Sequence, residues 1–219
     1  MGSLKSRFLI PITAKDFSRR FTRLATGLVL VSVGVGLTVQ ARLGISPFDV
    51  LNQGVSRVTG WSFGLVVIVL GVVFLLMWIP LGQRYGIGTF INTATIGLMI
   101  NATLSVVATP SDTGARWAML LVGLLLAAFG MGLYISAGLG PGPRDGLMTG
   151  ITAKGLPLWL VRTSLEMLAL AIGWWLGGDV GIGTIIFAFA IGPLAHIFIV
   201  RFNLGVDGFD PNPRATLAE

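Results

Sequence analysis

Apolar residues gather into six long runs, 24–41, 63–81, 87–108, 117–137, 158–177 and 182–200, separated by short polar or glycine-rich stretches. A helix needs about 20 residues to cross a hydrocarbon core of roughly 30 Å, and each run comes near that length. The stretch 46–60, between the first two runs, is too short and too polar to cross. It opens as a helix does. Ser46 stands at the N-cap, Pro47 at the first helical position, and Asp49 three residues after the cap. Gly142, Pro143 and Asp145 offer the same roles between the fourth and fifth runs. A glycine break precedes each short helix, Leu43-Gly44-Ile45-Ser46 in one case and Leu139-Gly140-Pro141-Gly142 in the other.

These likenesses belong to a duplication. The segment 41–49 returns as 137–145 at an offset of 96 residues, with Gly34 and Gly36 matching Gly130 and Gly132, and Trp78 matching Trp174. After a one-residue deletion, Gly86-Ile87-Gly88-Thr89 repeats as Gly181-Ile182-Gly183-Thr184. Each half reads as span, break, short helix, span, span. Three crossings per half is an odd number, so the second half must enter the membrane from the opposite side. The expected fold is an all-α membrane protein of six transmembrane helices. They form two inverted three-span repeats, each with a short re-entrant or interfacial helix after its first span. Along the chain this gives a basic N-terminal segment 1–23, a first membrane repeat 24–108, a linker 109–116, a second repeat 117–200 and a tail 201–219. The duplication also rules out a cleaved signal peptide, because the first run has a mid-chain twin.

Composition supports the bilayer as solvent: 54% of residues are hydrophobic and 11% charged, against about a quarter charged in soluble domains. The net charge of +6 is concentrated at one place. Lys5, Arg7, Lys15, Arg19, Arg20 and Arg23 all precede the first run, as expected of a cytoplasmic segment beside anionic headgroups rather than of a nucleic-acid binder. With both termini cytoplasmic, Arg42, Arg57 and Arg116 fall outside. The absence of cysteine excludes disulfides and thiolate metal sites, and the lone His196 cannot build a metal centre unaided. No cofactor or metal is expected.

Asp49 and Asp145 lead the candidates for chemistry. They are repeat mates, and ionisable residues at membrane depth are costly and usually functional. Capping alone accounts for them equally well, since a carboxylate in the first turn accepts backbone N–H bonds. Broken backbone is tolerated in a membrane only where protein or water satisfies it, and transporters use such breaks to aim polar groups at a ligand. The breaks are carried by Gly44, Pro47, Gly140, Gly142 and Pro143. An acid at each helix start favours a neutral or cationic ligand unless Arg144 intervenes. Arg144 faces Phe48 in the alignment of the halves, so any site is asymmetric. The candidate substrate- or ion-binding set is Ser46, Asp49, Asn52, Gln53, Arg144, Asp145, Thr149, Arg162 and Glu166. The last two lie four residues apart and also read as a self-neutralising pair. Asn92, Thr93, Thr95 and Asn101 suit interhelical hydrogen bonding as well as a pathway. The six tryptophans fall near span ends, where indoles anchor at the interface.

At these motifs, and at Trp78-Ile79-Pro80-Leu81-Gly82 and Gly140-Pro141-Gly142-Pro143-Arg144-Asp145-Gly146-Leu147, the chain resembles the bacterial YczE-like integral membrane proteins, more distantly related to the YitT group. The resemblance implies a multi-pass protein of the bacterial cytoplasmic membrane and brings no substrate and no catalytic residues. The reading that follows is a small-solute transporter or substrate-binding membrane subunit with its ligand site between the repeats. The alternatives are an intramembrane aspartyl-type hydrolase using Asp49 and Asp145, which requires their close approach, and a non-catalytic assembly partner. The expected partners are the lipid bilayer and a small-molecule or ion substrate. Without a P-loop in the chain there is room for an energising partner, as there is for a homo-oligomer.

Overall fold

The computed structural model describes residues 17–202, and Lys5, Arg7, Lys15 and the tail from residue 203 lie outside the described residues. The described chain is all helical: α1 (Phe17–Ala41), α2 (Pro47–Thr59), α3 (Phe63–Leu81), α4 (Ile87–Val106), α5 (Thr113–Ser136), α6 (Pro143–Thr152), α7 (Leu158–Trp175) and α8 (Ile182–Phe202). The first helix begins well before the apolar run at Leu24, carrying Arg19, Arg20 and Arg23 on its opening turns. Long cationic side chains can reach headgroups from there while the helix continues inward. The linker is shorter than expected because Asp112 caps α5, accepting from the Ala115 amide at 2.7 Å.

Five helices, α1, α3, α4, α5 and α8, are long and apolar enough to cross a membrane. The sixth expected span, α7, is 18 residues long, and Arg162 and Glu166 dilute its apolar character. Large apolar side chains point outward on several helices, such as Leu98 on α4, Phe189 on α8 and Leu76 and Ile79 on α3. Contiguous exposure of this kind suits lipid and not water.

The centre of the molecule is the crossing of α1 with α5. Gly27 meets the backbone at Gly130, and Gly34 meets it at Gly123, so the two helices run antiparallel. The two contacts are interchanged by the repeat offset. Without a hydrophobic force between helices in lipid, close backbone approach through glycine is what holds such a pair. The same exchange recurs at the breaks: the Gly88 amide donates to the Leu139 carbonyl at 2.8 Å, and its mate Gly183 donates to Leu43 at 2.7 Å. Gly44 and Gly140 have φ values of +104° and +118° there. An L side chain is strained in that region, and backbone and threonine atoms of the opposing helix start already fill the space.

The two flanks of α2 lie at the same end of α4. Gln40, ending α1, donates to the Leu104 and Val107 carbonyls near the end of α4. The Gly64 amide, opening α3, donates to Asn101 on the same part of α4. The chain therefore leaves and regains one end of the molecule, here the Gln40 end, with α2 in between. At the opposite end, the Arg23 guanidinium donates to the Phe202 carbonyl that closes α8.

Candidate functional site

Local sequence sets the first turn of each short helix. Ser46 caps α2, its hydroxyl accepting from the Asp49 amide at 3.3 Å and donating to Asp49 Oδ2 at 2.5 Å. Asn52, one turn on, donates to Asp49 Oδ1 at 3.2 Å. In α6, Gly142 stands where Ser46 stands in α2 and has no hydroxyl to give. Tyr134, reaching from α5, supplies the missing donor by hydrogen bonding to Asp145 Oδ2. The position a Gly142 side chain would take is ringed by Asp145 Oδ2 at 3.1 Å, Tyr134 Oη at 3.2 Å and Asn92 Nδ2 at 3.3 Å.

These groups open on one cavity of about 130 Å³ beside the α1–α5 crossing. Ser46, Asp49, Asn52, Arg144 and Asp145 line it, with Gly142 and Pro143 at its wall. Its polar side is completed by Tyr134, Asn92 and Thr93, and its apolar side by residues such as Val35, Leu70, Phe74, Met131 and Phe187. The repeat mates Phe48 and Arg144 touch one another there: the guanidinium lies over the phenyl ring, 5.2 Å from its centroid. Arg144 Nε is also 3.9 Å from Asp145 Oδ1. Arg144 thus intervenes in the site, which is asymmetric as expected. Each carboxylate is bonded to its own neighbours and not to the other. Among the described residues no three histidines, cysteines or carboxylates gather as a metal would need.

Four candidate residues stand elsewhere. Arg162 and Glu166 pair along α7, Nε to Oε1 at 3.0 Å. Gln53 points away to Asp179 in the α7–α8 loop: its amide nitrogen donates to Oδ2 at 3.0 Å, and its carbonyl accepts from the Asp179 amide at 2.6 Å. Arg57 joins the same carboxylate at 2.7 Å and also reaches the Gly177 carbonyl. The repeat mate of this cluster is one long bond at the other end, Thr149 Oγ1 to Gln83 Oε1 at 3.4 Å. Of the polar residues on α4, Asn92 and Thr93 line the cavity. Thr95 bonds within its own helix, and Asn101 holds the start of α3. Tyr134 was not foreseen. Its place one turn after Gly130, on the face that meets α1, is the only local signal of it.

Trp78 corrects the reading of the tryptophans as interface anchors. It is fully buried, its ring fits against Gly146, and its Nε1 donates to the Pro143 carbonyl at 2.9 Å. Its mate Trp174 is exposed, as interface anchoring expects. The difference lies in the short helices, since Gly146 makes room for an indole where α2 carries Val50.

Residues 18–200 match a family described as "Family of unknown function (DUF6198)". The chain belongs to this family. It is similar to an uncharacterized protein of Haemophilus influenzae, 38% identical over 80% of this chain and 81% of the relative. The uncharacterized membrane protein YczE of Bacillus subtilis is 33% identical over 84% of this chain and 85% of its own. The uncharacterized protein YyaS of the same organism is 29% identical over 79% and 89%. No solved structure matches the chain. The YczE-like resemblance is thus borne out, and with it a membrane protein with several apolar helices.

Proposed function

We propose that the chain is a small-solute transporter, or the substrate-binding membrane subunit of one, whose ligand occupies the cavity between the two halves. The observation that carries the reading is the convergence of both short-helix starts, Asp49 from one half and Asp145 from the other, on a single cavity. Equivalent broken helices meeting at a repeat interface are how secondary transporters build a substrate site. On this reading the fold is a six-span inverted repeat with α7 as the sixth span, its Arg162–Glu166 pair neutralised within the membrane. The antiparallel α1–α5 crossing supports it, because a two-fold that interchanges antiparallel spans lies in the membrane plane.

The distribution of cations supports cytoplasmic termini. Arg19, Arg20, Arg23, Arg84, Lys154 and Arg201 fall at the Arg23 end, against Arg42, Arg57 and Arg116 at the Gln40 end. This is the bias of the positive-inside rule. The two ends also differ in closure. The Arg57–Asp179–Gln53 cluster fastens the Gln40 end, and its mate at the Arg23 end is the single Thr149–Gln83 bond. Exposed ion pairs are worth only about 0–1 kcal/mol, so the tighter closure is one that thermal motion can undo. That suits alternating access better than a permanently sealed pocket. The aspartyl-hydrolase alternative needs two carboxylates sharing a proton. Asp49 and Asp145 are instead held apart in separate hydrogen-bond sets.

A thermal-shift screen of the purified protein against small metabolites tests the binding reading, because a ligand stabilises the state it binds. Gly71 lies on the cavity wall, where an added Cβ meets only the Thr93 methyl at 3.2 Å and Pro143 at 3.7 Å. Gly71→Leu fills the cavity. Solutes that stabilise the native chain and not this variant are the expected result. A screen in which every hit stabilises both equally would contradict it.

A further inference from the structure

We infer that the solute taken by this cavity carries a single positive charge on a small apolar body, the charge being received by Asp49. The inference rests on the reading of the cavity as a solute site. Asp49 is only 7% exposed and lines the cavity, and among the described residues no cation comes within ion-pair distance of it. Its partners, the Ser46 hydroxyl and the Asn52 amide, are neutral donors. They occupy lone pairs without bringing a charge of their own, and the nearby Arg144 is shared with Asp145. Buried charges in proteins are paired or they neutralise. Arg144, 3.9 Å from Asp145, is a single cation between two cavity carboxylates, and Arg162 is taken by Glu166 at 3.0 Å. One carboxylate is left over, so the site has room for one cation.

Arg144 shows how a cation sits in this cavity. Its guanidinium rests on the Phe48 ring, and Phe48, Phe74 and Phe187 all line the same space. An aromatic face attracts a cation and repels an anion, most strongly where water is scarce. The remaining lining is largely aliphatic, so the rest of the ligand is hydrocarbon. Size limits it further. An apolar cavity of about 150 Å³ accommodates benzene, so a cavity of about 130 Å³ takes roughly five or six heavy atoms.

The test compares n-butylammonium, n-butanol and n-butyrate, which match in size and differ in charge, by calorimetric titration of the purified full chain at fixed ionic strength. Butylammonium is expected to bind at least about tenfold more tightly than the other two, the range of a charge-assisted hydrogen bond. Asp49→Asn, which leaves the Ser46 cap on the residue 49 amide in place, should abolish that preference. Arg144→Gln leaves Asp145 without its counterion, and should let the dication of 1,4-diaminobutane bind at least about tenfold more tightly than it binds the native chain. This second variant reads a gain, so misfolding cannot imitate it. Equal binding of butanol, or preference for butyrate, overturns the charge assignment while leaving the cavity a solute site. Sodium ion competing as well as butylammonium overturns the organic class. Failure of all three probes to bind overturns the solute-site reading and the inference together.

Discussion

Gly27, Gly34, Gly123 and Gly130 set how closely the two halves meet. A Cβ built on Gly34 lies 2.5 Å from the Gly123 carbonyl oxygen and 2.6 Å from the Ala127 amide nitrogen, both backbone atoms that cannot turn aside. Overpacking of a tight core costs about 1–3 kcal/mol and sometimes more. Gly34→Leu is therefore expected to lower the unfolding temperature in detergent severely, or to prevent folding. Gly60 is the contrast: it closes α2 at φ +74° with nothing within 4 Å of its absent side chain. Gly60→Ala meets only the left-handed penalty of about 1–2 kcal/mol. Equal losses in the two variants would mean that the crossing is looser than described. At this scale the sequence was readable where a residue acts on its own neighbours. Ser46, Pro47 and Asp49 cap a helix through contacts within four residues, so their spacing announced them. Tyr134 completes Asp145 from another helix, and no spacing along the chain reports a contact made across space.

The short helices repeat the lesson one level up. Their existence, their starts and the glycine breaks before them could all be read from cap chemistry and the duplication. Which face each turns inward could not. Asn52 faces the cavity while Gln53, its neighbour, faces Asp179, because successive helical residues point about 100° apart. Arg162 and Glu166 are outside the cavity lining and bond to one another along α7, with Glu166 the more buried of the two. The packing of α3 on α6 gives a matched pair of tests. Trp78→Phe removes the indole that bonds Pro143 and is expected to cost about 1–3 kcal/mol, the penalty for an unsatisfied buried carbonyl plus lost contact. Trp174→Phe, at the exposed mate, should change thermal stability by less than about 0.5 kcal/mol. Equal effects would place both indoles at the interface, as their sequence positions alone suggested.

For the whole molecule, the duplication pairs contacts of one half with contacts of the other, and the structure adds where they differ. The Gln40 end carries the Arg57–Gln53–Asp179 cluster, whose repeat mate at the Arg23 end is the long Thr149–Gln83 bond. If that fastening limits access to the cavity, Asn52→Cys in this cysteine-free chain should react slowly with a membrane-impermeant thiol reagent applied outside the cell. Adding Arg57→Ala should raise the rate several-fold. An unchanged rate would make the cluster a static brace. The orientation of the halves is the claim on which the rest depends, and repeat mates test it directly. Val58 and Lys154 are equivalent under the 96-residue offset, and both are exposed, at the ends of the two short helices. With Val58→Cys and Lys154→Cys as separate variants in intact cells, an impermeant thiol reagent should label position 58 from outside. Position 154 should be labelled only after permeabilisation. Labelling of both from the same side would contradict the inverted arrangement and the solute site built upon it.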